Sequence, residues 1–131
     1  MAEKAKFFVD TSILIAHIRQ SHSNLLTLAS LRYETAIVSD VVVFELEVGA
    51  QKAGRSLEFA TKFPLIETYP VTQDIWLLCA KIQAQSLKQN QVIGLTDTLV
   101  AGTSIYYDYP LLTLNNKHFQ RIPQLKLLTM P

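Results

Sequence analysis

Four oxygen-bearing side chains stand where one kind of local pattern gives way to another. Asp10 follows the apolar run FFV, Glu45 lies in VVVFELEVG, Asp97 lies in GLTDT, and Asn115 follows LLTL. Carboxylates packed within a few ångströms repel one another, and the repulsion is relieved by protonating some of them or by holding a cation. No Cys or His set accompanies these oxygens, so the ions they select are hard ones, Mg²⁺ or Mn²⁺, over zinc. Mg²⁺ keeps several waters and favours a few carboxylates together with phosphate oxygens. The substrates implied are phosphodiesters or phosphoryl compounds, and the reaction is hydrolysis by an activated water.

Each residue also has a plainer reading. Asp10 before Thr11 and Ser12 can cap the next helix. Glu45 can be an exposed helix acid beside Glu47, and Asp97 can be a partner for a helix dipole. Asn115 or Asn116 can be a turn residue. Asp74, Asp108, Glu34, Glu58 and Glu67 are assigned to solvated surface. His17, His22 and His118 show no ligand spacing, and Trp76, at helical spacing with Cys79, is assigned to the core.

To gather the four oxygen donors, the chain must alternate strands and helices. KFFVD is short and apolar, as a strand buried on both faces is, and a helix over Ser12 to about Arg19 follows it. Leu25, Leu28 and Leu31, with Ser23 or Asn24 as cap, predict a second helix before the strand TAIVSD. VVVFELEVGAQKAG has a β-branched opening but helical spacing through Val42, Leu46 and Gly49 to Ala50, and is read as a helix capped by Ser39 or Asp40. RSLEFATKF is a short helix stopped before Pro64, and LIETYPV is strand three. Thr72 caps a long helix carrying Ile75, Leu78, Cys79, Ile82 and Leu87, and a further helix begins near Thr96. PLLTLN is strand four, NKHFQRI a turn or short helix, and LKLLTM strand five.

Strands separated by helices in this order predict an α/β fold, a five-stranded parallel sheet covered by helices on both faces. Such sheets place their chemistry beyond the carboxyl ends of the strands, where strand order reverses. Asp10, Glu45, Asp97 and Asn115 all fall on that rim.

Composition bounds the partners. A length of 131 residues with 49% apolar content makes one domain, residues 1–131, with enough apolar material for a core. Lys and Arg total 12 against 11 for Asp and Glu, so any contact with a polyanion must be local. Lys6, Arg19, Lys52, Arg55, Lys117 and Arg121 are the cations available for phosphate, and most are assigned to a solvated face. A single cysteine, Cys79, excludes an internal disulfide, and neither a secretory start nor a membrane span is expected, which points to the cytoplasm.

The segments FFVDTSILIAHI, IVSDVVVFELEVGA, GLTDTLVAGTS and LLTLNNKHFQRI together resemble the PIN-domain family, most closely the VapC type of toxin ribonuclease. The resemblance spans nearly the whole chain. It rests on Asp10 followed by Thr11 and Ser12; on Glu45, Leu46 and Gly49; on Asp97 ahead of Ala101 and Gly102; and on Thr113, Asn115 and Phe119. It implies a sheet of order 3-2-1-4-5 and a Mg²⁺- or Mn²⁺-dependent endoribonuclease. Asp10, Glu45 and Asp97 would bind metal, and Thr11, Ser12, Thr113 and Asn115 would position water or a carboxylate. It further implies pairing as a homodimer and inhibition by a small antitoxin protein. Many relatives carry Asp where this chain has Asn115, which removes one charge from a second metal position. Phe7, Phe8, Ile13, Leu14 and Ile15 are expected in the core.

Two alternatives belong to other classes. One is a PIN-fold module that binds a protein partner with weak turnover. The other is a phosphatase or phosphotransferase with Asp10 as nucleophile, a scheme that wants a second Asp where Ser12 stands. Under the metal-site reading, Asp10→Ala is expected to remove activity and to leave the fold intact or slightly stabilised, since a repelling acid is deleted.

Overall fold

The computed structural model describes residues 5–20, 26–27, 29–30 and 35–128. The element order is β1 (Lys6–Val9), α1 (Thr11–Ile18), β2 (Thr35–Ser39), α2 (Asp40–Lys52) and α3 (Glu58–Lys62). There follow β3 (Glu67–Tyr69), α4 (Gln73–Lys88), α5 (Leu95–Tyr107), β4 (Leu111–Leu112) and α6 (Asn116–Phe119). Leu26, Thr27, Ala29 and Ser30 are helical, while the rest of the helix expected before β2, including Leu25, Leu28 and Leu31, lies outside the described residues.

The strands form one parallel sheet of order β3-β2-β1-β4. From β1 the chain steps outward twice, through β2 to β3, and then returns to the other side of β1 as β4. The reversal point therefore lies between β1 and β4, as the alternation of elements requires. Where a fifth strand was expected, Leu127 makes a single parallel bridge to Leu111, and Thr129 and Met130 lie outside the described residues. The strand order is the expected one, with its last member reduced to that bridge.

The sheet is buried because its residues are apolar on both faces. Phe7, Phe8, Val9, Ile37, Val38 and Leu111 are essentially inaccessible, joined by Ile13 and Leu14 of α1 and by Val100 and Ala101 of α5. Each of the larger side chains contributes about 1.5–3 kcal/mol on leaving water. Ile15 is only partly buried, at the edge of the same cluster. In α2 the tertiary setting overrides the β-branched opening: Val42, Leu46 and Ala50 bury one helical stripe.

Three assignments made from the sequence are corrected. Trp76 is 49% exposed, because α4 turns Ile75 and Cys79 inward and the next position out. Leu87 is exposed as well, and Ser86 takes the buried position, its hydroxyl donating to the carbonyl of Gln91. Glu58 is 5% exposed instead of solvated, since Arg55 and Lys62 meet its carboxylate from either side. Among the described residues no helix is long and apolar enough to cross a membrane.

Candidate active site

β1 ends at Val9, and Asp10 turns the chain into α1 with extended backbone, φ −82° and ψ 161°. Its side chain caps the helix, Oδ1 accepting from the amide of Thr11 at 2.8 Å. The other oxygen, Oδ2, accepts from the hydroxyl of Ser12 at 3.1 Å and from that of Thr113 at 2.9 Å. Both readings of this residue thus hold at once: it is a helix cap, and it faces the end of β4. At 4% exposure it is a buried carboxylate satisfied by three donors.

Ser12 and Thr113 are themselves fixed. Ser12 Oγ accepts from the amide of Leu114 at 3.1 Å, and Thr113 Oγ1 accepts from the amide of Asn115 at 3.0 Å. These bonds tie the segment after β4 to the start of α1. Thr11 reaches the other way, donating its hydroxyl to Glu45 Oε1 at 2.9 Å. One residue thereby links the Asp10 carboxylate to that of Glu45, carried on the second turn of α2.

Glu45 and Asp97 are half-buried and less well served. Burial, the largest cause, pushes the Glu45 carboxyl above its ordinary range, and the charges of Asp10 and Asp97 push it the same way; hydrogen bonds from Thr11 and Thr96 oppose this. Asp97, in the first turn of α5, is likewise raised by burial first and by the charge of Asp10 second. His118, with Nδ1 at 3.6 Å from Asp97 Oδ2, works in the opposite direction. Three carboxylates from β1, α2 and α5 therefore share one rim and feel one another's field.

Asn115 is placed differently. It is exposed, precedes the short helix α6, and makes no capping bond with its side chain, so its amide faces solvent near the ends of β1 and β4. Two neighbours were not picked out from the sequence. Thr96 supports Glu45, a role signalled only by its place beside Asp97, and His118 leans on Asp97 across a fold that brings α6 to α5.

The donor set can be tested against a divalent cation. All the candidate ligands are oxygens, two of the three acids hold protons more tightly through burial first and through the charge of the third besides, and a dication would relieve that repulsion. Among the described residues no three Asp, Glu, His or Cys side chains already stand as a closed cage. The fit is one of charge and donor chemistry. Glu45, bonded by Thr11, and Asp97, paired with His118, are the two half-buried members of that set.

A PIN-domain family model matches residues 7–125. Over 130 residues the chain is 38% identical to "Ribonuclease VapC" of Rickettsia bellii (strain RML369-C), spanning 94% of this chain and 95% of that protein. The chain belongs to the PIN-domain family, VapC type. This PIN domain is also 30% identical over 125 residues to "Ribonuclease VapC1" of Methanocaldococcus jannaschii, spanning 95% of this chain and 87% of that one. Among solved structures, VapBC2 from Rickettsia felis, bound to a DNA fragment from their promoter, contains a chain matching with a TM-score of 0.81 at 24% identity, covering 96% and 99% of the two chains. VapBC from Salmonella typhimurium, also bound to DNA, matches with a TM-score of 0.78 at 21% identity, over 95% and 97%. At these identities the structures establish the fold.

Proposed function

We propose that this PIN domain is a Mg²⁺- or Mn²⁺-dependent endoribonuclease, the toxin of a toxin–antitoxin pair. The observation that carries the reading is the shared field of Asp10, Glu45 and Asp97 at the point where strand order reverses. The relatives named as ribonucleases and the structural neighbours described as VapBC complexes support it.

Asp10, Glu45 and Asp97 are the residues that would hold the cation. When bound, the ion would sharpen a water as nucleophile and offset the charge growing on the phosphate oxygens and the departing ribose oxygen. The remaining roles fall to the chain itself. Thr11, Ser12 and Thr113 keep Asp10 in one orientation, so that its lone pairs need no rearrangement when the substrate arrives. The exposed side chain of Asn115, which makes no capping bond, orients a water or a phosphate oxygen. His118, with Nδ1 3.6 Å from Asp97 Oδ2, partners that carboxylate and would stand beside it when it held the cation.

The test is cleavage of a single-stranded RNA with Mn²⁺, with EDTA, and with Asp97→Asn. Cutting is expected with Mn²⁺ and absent with EDTA. Asp97→Asn is expected to lower kcat/KM about a thousandfold or more, roughly 4 kcal/mol of transition-state stabilisation. Equal cutting by wild type and Asp97→Asn removes the nuclease assignment. Asn115, exposed and uncharged where the VapC pattern often has Asp, favours the second reading, a weakly active module that binds a protein partner. Mn²⁺ binding without turnover would decide for it. The proposal extends to a small antitoxin partner, a homodimer and action in the cytosol, the first two checked by co-purification with the neighbouring reading frame and by light scattering.

A further inference from the structure

The proposed reaction needs RNA to lie across an acidic rim on a chain whose summed charge is only +1. Two recesses border that rim. One, of about 120 Å³, adjoins Glu45; Ile15, Ile18, Leu46 and Ala50 line it together with Arg19 and Arg55. The other, of about 230 Å³, adjoins Asp97 and is lined by Ile93, Gly94, His118 and Arg121. Both fall below the roughly 300 Å³ at which compact small-molecule sites begin, so each suits a segment of an extended chain.

The arginines in these recesses keep donors to offer, as do Lys52, Lys81, Lys88 and Lys117 elsewhere, which make no ion pair among the described residues. Lys6 is engaged by Tyr69 and Glu67, Lys62 by Glu58, and Lys126 by Asp108. Arg19 and Arg121 are exposed and make no ion pair among the described residues. Arg55 commits only its Nε–H, to Glu58 at 3.2 Å, which leaves its terminal N–H donors available. Glu58 is paired with both Arg55 and Lys62, so its charge does not oppose an anion in the first recess. Gly49 adds to the opening, because a Cβ there would meet nothing within 4 Å.

We infer that the RNA strand crosses the carboxylate rim between these recesses, with Arg19 and Arg55 holding phosphate on one side of the cut and Arg121 on the other. The inference rests on the nuclease reading for its substrate class and adds the path. These arginines are positioning residues: they fix where the strand lies and leave the chemistry to the acids. A strand gripped on both sides is cut internally, which is why the chain would act as an endonuclease.

The path is tested by fluorescence anisotropy of a short labelled single-stranded RNA, with full-length chain carrying Asp97→Asn to block cutting and remove one repelling charge. Each phosphate contact on a single strand contributes about 0.7 to the slope of log affinity against log salt. Arg19→Ala with Arg55→Ala is expected to lower that slope by about 1.4, and Arg121→Ala by about 0.7. Arg55→Lys is expected to restore its share, and Lys81→Ala, on exposed α4 surface, to change nothing. With Asp97 intact, the arginine variants are expected to raise KM for RNA about tenfold with kcat within about twofold. Unchanged slopes, no RNA binding by the parent, or lost binding only to a protein partner would overturn the path. The two proposals separate cleanly. Arginine-dependent RNA binding without Mn²⁺-dependent cutting sinks the nuclease reading alone, and cutting with unmoved slopes sinks the path alone. Melting curves for each variant show whether loss of the Glu58 pairing has unfolded the chain, and Arg19→Ala and Arg121→Ala, which break no ion pair among the described residues, then carry the decision.

Discussion

The two walls of the acidic rim are built on opposite principles. On the β1 and β4 side, Asp10 is buried and met by an amide and two hydroxyls, each held in place by a further bond. Facing it, Glu45 and Asp97 are half-buried, short of donors, and pushed towards protonation by burial and by the Asp10 charge. A carboxylate can thus serve a site in two ways. One wall is rigid and contributes stability, the other is strained electrostatically and gives up stability that an ion would return.

The sharpest way to break this contrast is Asp10→Ala. Taken as a mere repelling charge, its deletion would leave the fold intact or firmer; the hydrogen bonds reverse that expectation for stability. Removal leaves the Ser12 and Thr113 hydroxyls and the Thr11 amide without their acceptor in a buried place. The expected loss is about 2–3 kcal/mol in denaturant unfolding, together with loss of RNA cutting. A variant as stable as wild type would show that the rigid wall contributes nothing to the fold.

The opposite wall should respond with the opposite sign, and with pH. For Glu45 and Asp97 the folded carboxyl binds its proton more tightly than the unfolded one. In the window between the two values the folded state therefore carries more protons, so stability falls as pH rises through it. Metal-free Asp97→Asn is accordingly expected to melt a few degrees above wild type at neutral pH. The gap should close as pH drops below the ordinary carboxyl value of about 4. Mn²⁺ should raise the wild-type melting point more than that of the variant. A gap that widens on acidification would mean that Asp97 is stabilised by its surroundings, as Asp10 is.

The contrast explains which parts of the site were legible in sequence. Asp10, Glu45 and Asp97 were readable because each lies at or near the start of a helix that follows a strand or loop, and alternating elements put such positions on one rim. The pinning of Asp10 by Thr113 joins residues far apart in the chain, and only the resemblance hinted at it. Glu58 was misassigned although Arg55 and Lys62 stand three before and four after it, a spacing that signals mutual pairing. Trp76 was misassigned because the periodicity of α4 fixes the buried stripe only to within one position, and Ile75 took it. His118 was passed over because ligand spacing along the chain says nothing about α6 reaching Asp97.

The smallest expected effect tests how far the rigid wall extends. Carrying the Phe8–Ile37 register two residues on, past the end of β1, brings Ser39 of β2 level with Asp10, and among the described residues its hydroxyl is the buried side-chain polar atom without a hydrogen-bond partner. It occupies the cap position of α2 yet makes no capping bond, whereas Thr72 at the start of α4 accepts from the amide of Ile75 at 3.4 Å. If the wall ends at Ser12, Thr113 and Thr11, removing this hydroxyl relieves a buried polar group and deletes nothing that Asp10 uses. Ser39→Ala is then expected to be neutral or to stabilise by up to about 1 kcal/mol in denaturant unfolding, with RNA cutting unchanged. If the variant instead loses about 1 kcal/mol or more, the hydroxyl takes part in holding β2 against the acid, and the rigid wall spans the sheet instead of stopping at β1.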